Sequence, residues 1–193
     1  MSIDDKVKWE KKYKSDKNLL EKRPASHKYN IVLKLLDSGK VLDLACGAGR
    51  NTVFLSKKGF YVDAYDISLT ALNNIDSMNL DNVNTYELDL DEYNPKNLDY
   101  DLVVMTNFLD RLLIKRVSTQ MKINSYFFIE TYMNHEINEK KNSNPDFLLA
   151  KNELKEFFNN DKFEILDYDE FENESYESFK MMKQSILVKK LKV

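Results

Sequence analysis

The stretch Val41 to Asn51, VLDLACGAGRN, followed by Tyr61 to Ser68, YVDAYDIS, decides how this chain is read. Val41 to Ala45 is a short, mostly apolar run, too short for a helix and suited to a strand buried on both faces. Arg50 to Lys58 then has helical spacing, with Val53, Phe54 and Leu55 inward and Gly59 as its stop, and Tyr61 to Ile67 is a second strand. Strand, glycine turn, helix, strand is a βαβ unit. In such a unit the glycines allow a tight turn, and a missing Cβ lets a ligand approach the backbone above the strand's carboxyl end. Asp66 closes the second strand 17 positions past Gly49 (66 − 49), where a carboxylate can accept both hydroxyls of a ribose. The pattern points to a nucleoside ligand. The dinucleotide fingerprint wants a third glycine where Thr52 stands, and no GKS or GKT follows the turn to hold phosphate and magnesium. Asp43, inside the first strand, suits instead the ammonium of an amino-acid moiety, met directly or through water.

Outward from this unit the alternation continues. Ser68 caps a helix through Leu72 and Ile75, Val83 to Leu88 is a third strand, and Asp101 to Thr106 a fourth after the turn NPKN. Phe108 to Met121 is mainly helical, and Tyr126 to Glu130 is a fifth buried strand. Phe163 to Asp167 and Ser185 to Lys189 form a terminal antiparallel hairpin, after a helix capped by Asn152 that carries Leu154, Phe157 and Phe158. Ahead of the unit, Ser2 caps a helix bearing Trp9 and Tyr13 on one face; these aromatics either cover a ligand or pack on the flank. Ser26 caps a second helix through Tyr29, Val32, Leu33 and Leu36, stopped by Gly39. The polar stretch His135 to Pro145 reads as a loop near the site. The predicted fold is a doubly wound, Rossmann-like α/β sheet of seven strands, mostly parallel with a C-terminal antiparallel hairpin and N-terminal helical decoration.

Composition narrows the function classes. The 193 residues suit one domain, residues 1–193, in which residues 1–38 form part of a lid. The single cysteine, Cys46, excludes an intrachain disulfide and cannot by itself build a thiolate zinc site, so no metal is expected. A net charge of −3 argues against nucleic acid as the main partner. No apolar run is long enough for a bilayer, and the charged start MSIDDKVKWEKKYKS has no leader-like apolar core, so a cytoplasmic protein is expected, as a monomer. All four glycines (Gly39, Gly47, Gly49, Gly59) fall within one short window, which leaves Asn and Ser to make the remaining turns.

VLDLACGAGRN and YVDAYDIS resemble motif I and the acidic second-strand motif of class I S-adenosylmethionine-dependent methyltransferases, and more narrowly of the small tellurite-resistance TehB-like group. RPAS ahead of the first strand, LDLDEY after the third, TNFLDR after the fourth, FFIETY at the fifth and NPDFLLAKNEL before the hairpin extend the likeness over most of the chain. The resemblance implies S-adenosylmethionine as cofactor. It implies that Ala45, Gly47 and Gly49 frame its methionine portion, Asp66 and Ile67 its ribose, and Asp89 and Leu90 its adenine. Thr106 and Asn107 would line the sulfonium side, Asp43 would face the ammonium, and Arg23 would pair with the carboxylate. One departure is that Lys122 to Ser125 stands where such enzymes often carry a glycine-rich turn. Asn124 there tolerates the left-handed conformation best after glycine.

A sulfonium methyl is already activated, so the protein mainly aligns donor and acceptor and excludes water. A thiol or soft oxyanion acceptor requires no general base, whereas a hydroxyl or ammonium is helped by one. Candidates for that role are Glu130, Tyr132 and His135. The fourth strand ends in TNFLD, without the Asn-Pro-Pro-Tyr type signature that stacks a flipped base, so a small-molecule acceptor is expected. The alternative reading is a binding or regulatory protein of the same fold without turnover.

Overall fold

The computed structural model describes residues 3–140 and 144–192. The predicted cap Ser2 and part of the His135 to Pro145 loop lie outside the described residues. The elements are helix α1 (Ile3–Ser15), a 3-10 turn (Lys17–Leu20), α2 (Tyr29–Val32), β1 (Lys40–Leu44), α3 (Arg50–Lys57), β2 (Tyr61–Asp66), α4 (Leu69–Asp76) and β3 (Val83–Glu87). They continue with β4 (Leu102–Thr106), α5 (Arg111–Gln120), β5 (Tyr126–Tyr132), a 3-10 turn (Pro145–Phe147), α6 (Glu153–Phe158), β6 (Phe163–Glu172) and β7 (Met182–Lys190). One seven-stranded sheet has the order β3-β2-β1-β4-β5-β7-β6. The four pairings from β3 across to β5 are parallel, and β7 runs antiparallel between β5 and β6. This is the predicted doubly wound sheet with its terminal hairpin.

Side-chain alternation assigns the two faces. Val41, Val62, Ala64, Val104, Phe128 and Leu187 pack under α2, α3 and α4 with Tyr29, Leu55, Leu72 and Ile75. Leu42, Leu44, Met105, Phe127, Ile129 and Val188 face the other way, against Leu113, Ile114 and Val117 of α5 and Leu154 and Phe158 of α6. β4 is buried at every position, as a strand covered on both faces must be. Strand order reverses between β1 and β4, so the cleft opens above the carboxyl ends of those strands.

Several local expectations are corrected. The second N-terminal helix is a single turn, because Leu33 to Leu36 continue in tighter turns; Ser26 accepts the Lys28 amide at 3.2 Å ahead of it and donates its hydroxyl to Glu130. Gly39 therefore stops no helix. A Cβ there would stand 2.5 Å from the Asp101 carboxylate, which accepts the Lys40 amide at 2.8 Å; bare backbone is needed for that contact. The inward residues of α3 are Asn51, Thr52, Leu55 and Ser56, with Val53 and Phe54 only half-buried. Asn152 precedes α6 in a left-handed conformation (φ 61°) and makes no side-chain cap. Asn79, Asn97, Asn107 and Asn124 are left-handed too, so asparagine makes the turns that glycine does not. Asn124, at φ 69°, supplies the turn before β5.

Candidate functional site

At the carboxyl end of β1 the chain turns through Ala45 (φ 55°), Gly47 (φ 55°) and Gly49 (φ 86°) into α3. The two central glycines serve different contacts. A Cβ on Gly49 would sit 2.6 Å from Ile75 Cγ1, so that glycine lets α4 pack against the turn. A Cβ on Gly47 would sit 2.7 Å from the Tyr13 hydroxyl, so the backbone there faces α1. Tyr13 is half-buried, and burial together with the Asp66 charge pushes its phenol up. Trp9 lies beside it, with ring centroids 6.1 Å apart.

Asp66 ends β2 with its carboxylate turned back to the turn. Oδ2 accepts the Gly47 amide at 2.8 Å and Oδ1 the Ser68 amide at 2.9 Å. Burial holds its pKa above the ordinary carboxylate range, against those amide bonds. A carboxylate offers about four acceptor positions, so each oxygen keeps one for a ligand hydroxyl. Asp43 lies one layer deeper at 1% exposure, with Oδ2 accepting Thr52 Oγ1 at 2.6 Å and Oδ1 unpartnered. Burial raises it to about 7. Cys46 is half-buried and burial pushes its thiol well up, which suits a packed residue and not a nucleophile.

The other predicted positions differ in exposure and in the partners they meet. Ile67 is buried after Asp66, and the Leu90 side chain is buried in the α5 core while its carbonyl accepts from Arg116 at 3.0 Å. Asp89 accepts the Asp91 amide at 3.0 Å. Thr106 Oγ1 accepts from Asn51 Nδ2 at 2.6 Å, and the left-handed Asn107 donates its amide to the Glu130 carbonyl at 2.8 Å. Arg23 is exposed and bonds the Asn18 carbonyl at 3.3 Å. His135 stands apart, with Nδ1 accepting the Ile137 amide at 3.3 Å.

Glu130 and Tyr132 belong to a buried ionic cluster that sequence reasoning did not anticipate. Lys183 Nζ lies 2.7 Å from Glu174 Oε2, 3.0 Å from Glu177 Oε1 and 3.5 Å from Glu130 Oε1, with the lysine side chain fully buried. Arg50, the residue after Gly49, bonds the Tyr176 hydroxyl at 2.8 Å and lies 3.6 Å from Glu174 and 4.0 Å from Glu130. Tyr132 donates its hydroxyl to Glu177. Four segments distant in sequence meet here, tying the glycine turn to the connection between β6 and β7. The available signal was the polar start of an otherwise apolar strand, Lys183-Gln184-Ser185.

α1 is fastened to the start of α4 by Glu10, which accepts from Thr70 Oγ1 at 2.6 Å, Ser68 Oγ at 2.7 Å and the Thr70 amide at 3.2 Å. Burial alone would raise this carboxyl, but bonds from Thr70, Ser68 and Lys14 outweigh it and lower the pKa from 4.5 to about 2. A depressed acid stabilises the fold above its unfolded pKa and loses that contribution as pH falls through the folded value. Docking of α1 should therefore weaken between pH 4.5 and about 2. Glu10→Gln should loosen α1 already at neutral pH, by about 1 kcal/mol. Trp9, the single tryptophan, reports this by fluorescence; an unchanged emission spectrum in the variant would refute it.

A family profile described as "Tellurite resistance protein TehB" matches residues 5–181. The chain belongs to the TehB family. It is 31% identical over 165 residues to a "Probable S-adenosyl-L-methionine-dependent methyltransferase TehB" of Haemophilus influenzae strain 10810, covering 75% of this chain and 56% of that protein. A protein of the same description from strain Rd is 32% identical over 148 residues, covering 71% of this chain and 50% of the relative. The chain thus spans about half the length of the curated TehB relatives it matches. The crystal structure of TehB from Haemophilus influenzae superposes with a TM-score of 0.74 at 27% identity, over 86% of this chain and 62% of that one. A SAM-dependent methyltransferase of Methanosarcina mazei shares the fold, with a TM-score of 0.68 at 18% identity over 88% of this chain and 99% of that one. Among the described residues of this TehB-family chain no helix is long and apolar enough to cross a membrane, and no group of His, Cys, Asp and Glu is placed to hold a metal ion.

Proposed function

We propose that this chain is an S-adenosylmethionine-dependent methyltransferase, a single domain acting as a cytoplasmic monomer on a small-molecule acceptor of thiol, oxyanion or metalloid type. The observation that carries the reading is the Asp66 carboxylate, held by the Gly47 and Ser68 amides at the carboxyl ends of parallel strands with α1 closed over it. Family membership and the description of the Haemophilus influenzae relatives support the same reading.

The residues present fit that cofactor. Asp66 retains acceptor capacity for two ribose hydroxyls, with Ile67 beside it, and Asp43 offers an unpartnered buried oxygen beneath the turn for an ammonium. Ala45 and Gly47 expose backbone to the methionine portion, while Gly49 shapes the turn by admitting Ile75. Asp89 and the Leu90 backbone are assigned the adenine, Thr106 and Asn107 the sulfonium side, and Arg23 the carboxylate. Residues 1–38 supply the lid, through Tyr13 above all. The bound cofactor brings an activated methyl group, leaving the chain to align the acceptor and keep water out. Glu130 and Tyr132, engaged with Lys183 and Glu177, form a rigid wall and not a ready base, which favours an acceptor that needs none.

Titration calorimetry with S-adenosylmethionine and its demethylated product tests the reading. An ammonium placed near Asp43 lowers its pKa from about 7, so binding at or below neutral pH should expel a proton. The heat at pH 6.5 should then vary with the ionisation enthalpy of the buffer, and affinity should rise from pH 6 to 8. Absence of any binding heat would overturn the proposal, and buffer-independent heats would remove Asp43 from it. Transfer of a labelled methyl group to any member of a thiol, selenite and tellurite panel would exclude a purely regulatory role.

A further inference from the structure

The connection between β3 and β4 crosses the sheet without a helix. The face that α5 and α6 cover over β4, β5 and β7 is therefore left open over β2 and β3. Along β2, Val62, Ala64 and Asp66 are buried while Tyr61, Asp63 and Tyr65 alternate toward this open face. The parallel register sets Asn84 beside Asp63 and Tyr86 beside Tyr65. Tyr93 and Tyr100 arrive from the irregular connection. Together Tyr61, Tyr86, Tyr93, Tyr100, Asp63 and Asn84 line a hollow of about 620 Å³, the size of a small-ligand site. Tyr65 packs edge-on against Tyr86 at 4.8 Å and Tyr93 at 5.5 Å, fixing two of the rings that form the walls.

Asp63 makes this hollow more than an aromatic patch. Its carboxylate accepts the Tyr100 hydroxyl at 2.7 Å and Asn84 Nδ2 at 2.9 Å, both neutral donors, and among the described residues no basic side chain pairs with it. Lys40 and Lys96 also line the hollow, but neither pairs with Asp63. Lys40 lies 4.0 Å from Asp99, which also bonds Lys122 at 3.0 Å, and Lys96 is exposed. A formal negative charge bounded by tyrosine rings attracts a cation, and aromatic faces compete best with water for one that is weakly hydrated. Tyr61, at 67% exposure, packs too little to be explained by stability.

We propose that this hollow is a second binding site, separate from the cleft at the carboxyl strand ends, and that it takes a small molecule bearing a methylated ammonium group. The cation lies among the tyrosine rings with Asp63 as its counter-charge. The site is on the opposite face of β2 from Asp66 and does not depend on the reaction proposed above.

The test is calorimetry of the whole chain with choline and with 3,3-dimethylbutan-1-ol, which has the same shape without the charge. Choline should bind, and the carbon isostere should bind at least about tenfold more weakly. Tyr61→Ala and Asp63→Asn should each weaken choline binding at least about fivefold while S-adenosylmethionine binding stays unchanged, and Tyr61→Ala should also leave the thermal unfolding midpoint unchanged. Equal affinity for choline and its isostere would overturn the proposal, as would no binding of choline up to about 50 mM. Dimerisation abolished by Tyr61→Ala would assign the face to a second copy of the chain and equally overturn it.

Discussion

Replacing Lys183 by methionine is expected to destabilise the protein by about 3 to 5 kcal/mol, the usual cost of removing one partner from a buried ion pair. The lysine side chain is fully buried and sits between Glu130, Glu174 and Glu177. Burial alone would lower its pKa, but the Glu130 and Glu177 charges and the bond it donates to Glu174 hold it above 10.5. A raised cation contributes stability that is fully present below the unfolded pKa and is lost as pH rises through the folded one, so the cluster is intact at neutral pH. Without the lysine, three carboxylates share Arg50 and the hydroxyls of Ser26 and Tyr132. Crowded like charges then cost folding free energy, a cost that acid relieves. Urea unfolding at pH 7 should show the loss, and at pH 5 a smaller one. Adding Glu177→Gln should restore part of it, since the remaining charges come closer to balance. A loss below about 1 kcal/mol at pH 7, or one independent of pH, would show that the cluster is loosely solvated.

How much of this was legible depends on whether the deciding interaction is local. β1, β4 and β5 could be read because each is a short apolar run, β2 because apolar and polar residues alternate along it, and the flanks of α3 and α4 because Gly59 and Ser68 punctuate them. The second N-terminal helix is shorter than its spacing suggests, because Leu33 and Leu36 keep helical periodicity while the backbone tightens to i−3 bonds at Lys34 and Leu35. Ser26 accepts the Lys28 amide locally, and its hydroxyl also donates to Glu130, a contact 104 residues away that no local pattern announces. Gly47 and Gly49 looked equivalent in sequence, and only the packing of Ile75 on one and Tyr13 on the other separates them. Lys183 was the least legible, since a lysine in a strand ordinarily marks the solvent face, and its three partners stand at 130, 174 and 177. The open face over β2 was hidden for a related reason: the sequence between β3 and β4 contains no helix signal, but nothing local says which side of the sheet that leaves bare.

Asp66→Ala is expected to weaken S-adenosylmethionine binding tenfold or more, because losing a charged acceptor of two hydroxyls costs about 1.5 to 3 kcal/mol. The effect has two components. One is direct loss of the ribose contacts assigned to the carboxylate. The other is release of the Gly47 and Ser68 amides, bound at 2.8 and 2.9 Å, which frees the turn that frames the ligand. Asp66→Asn separates them, since one carboxamide oxygen can still hold one amide while its NH2 group faces the other donor. Asparagine should therefore fall between aspartate and alanine in thermal stability, yet bind the cofactor little better than alanine. Asp63→Asn is the control, on the same strand but turned to the opposite face, and should leave cofactor affinity unchanged. If Asp66→Ala lowered the unfolding midpoint but bound S-adenosylmethionine as tightly as the parent, Asp66 would be a structural clamp for the turn, and the ribose would have to be held elsewhere.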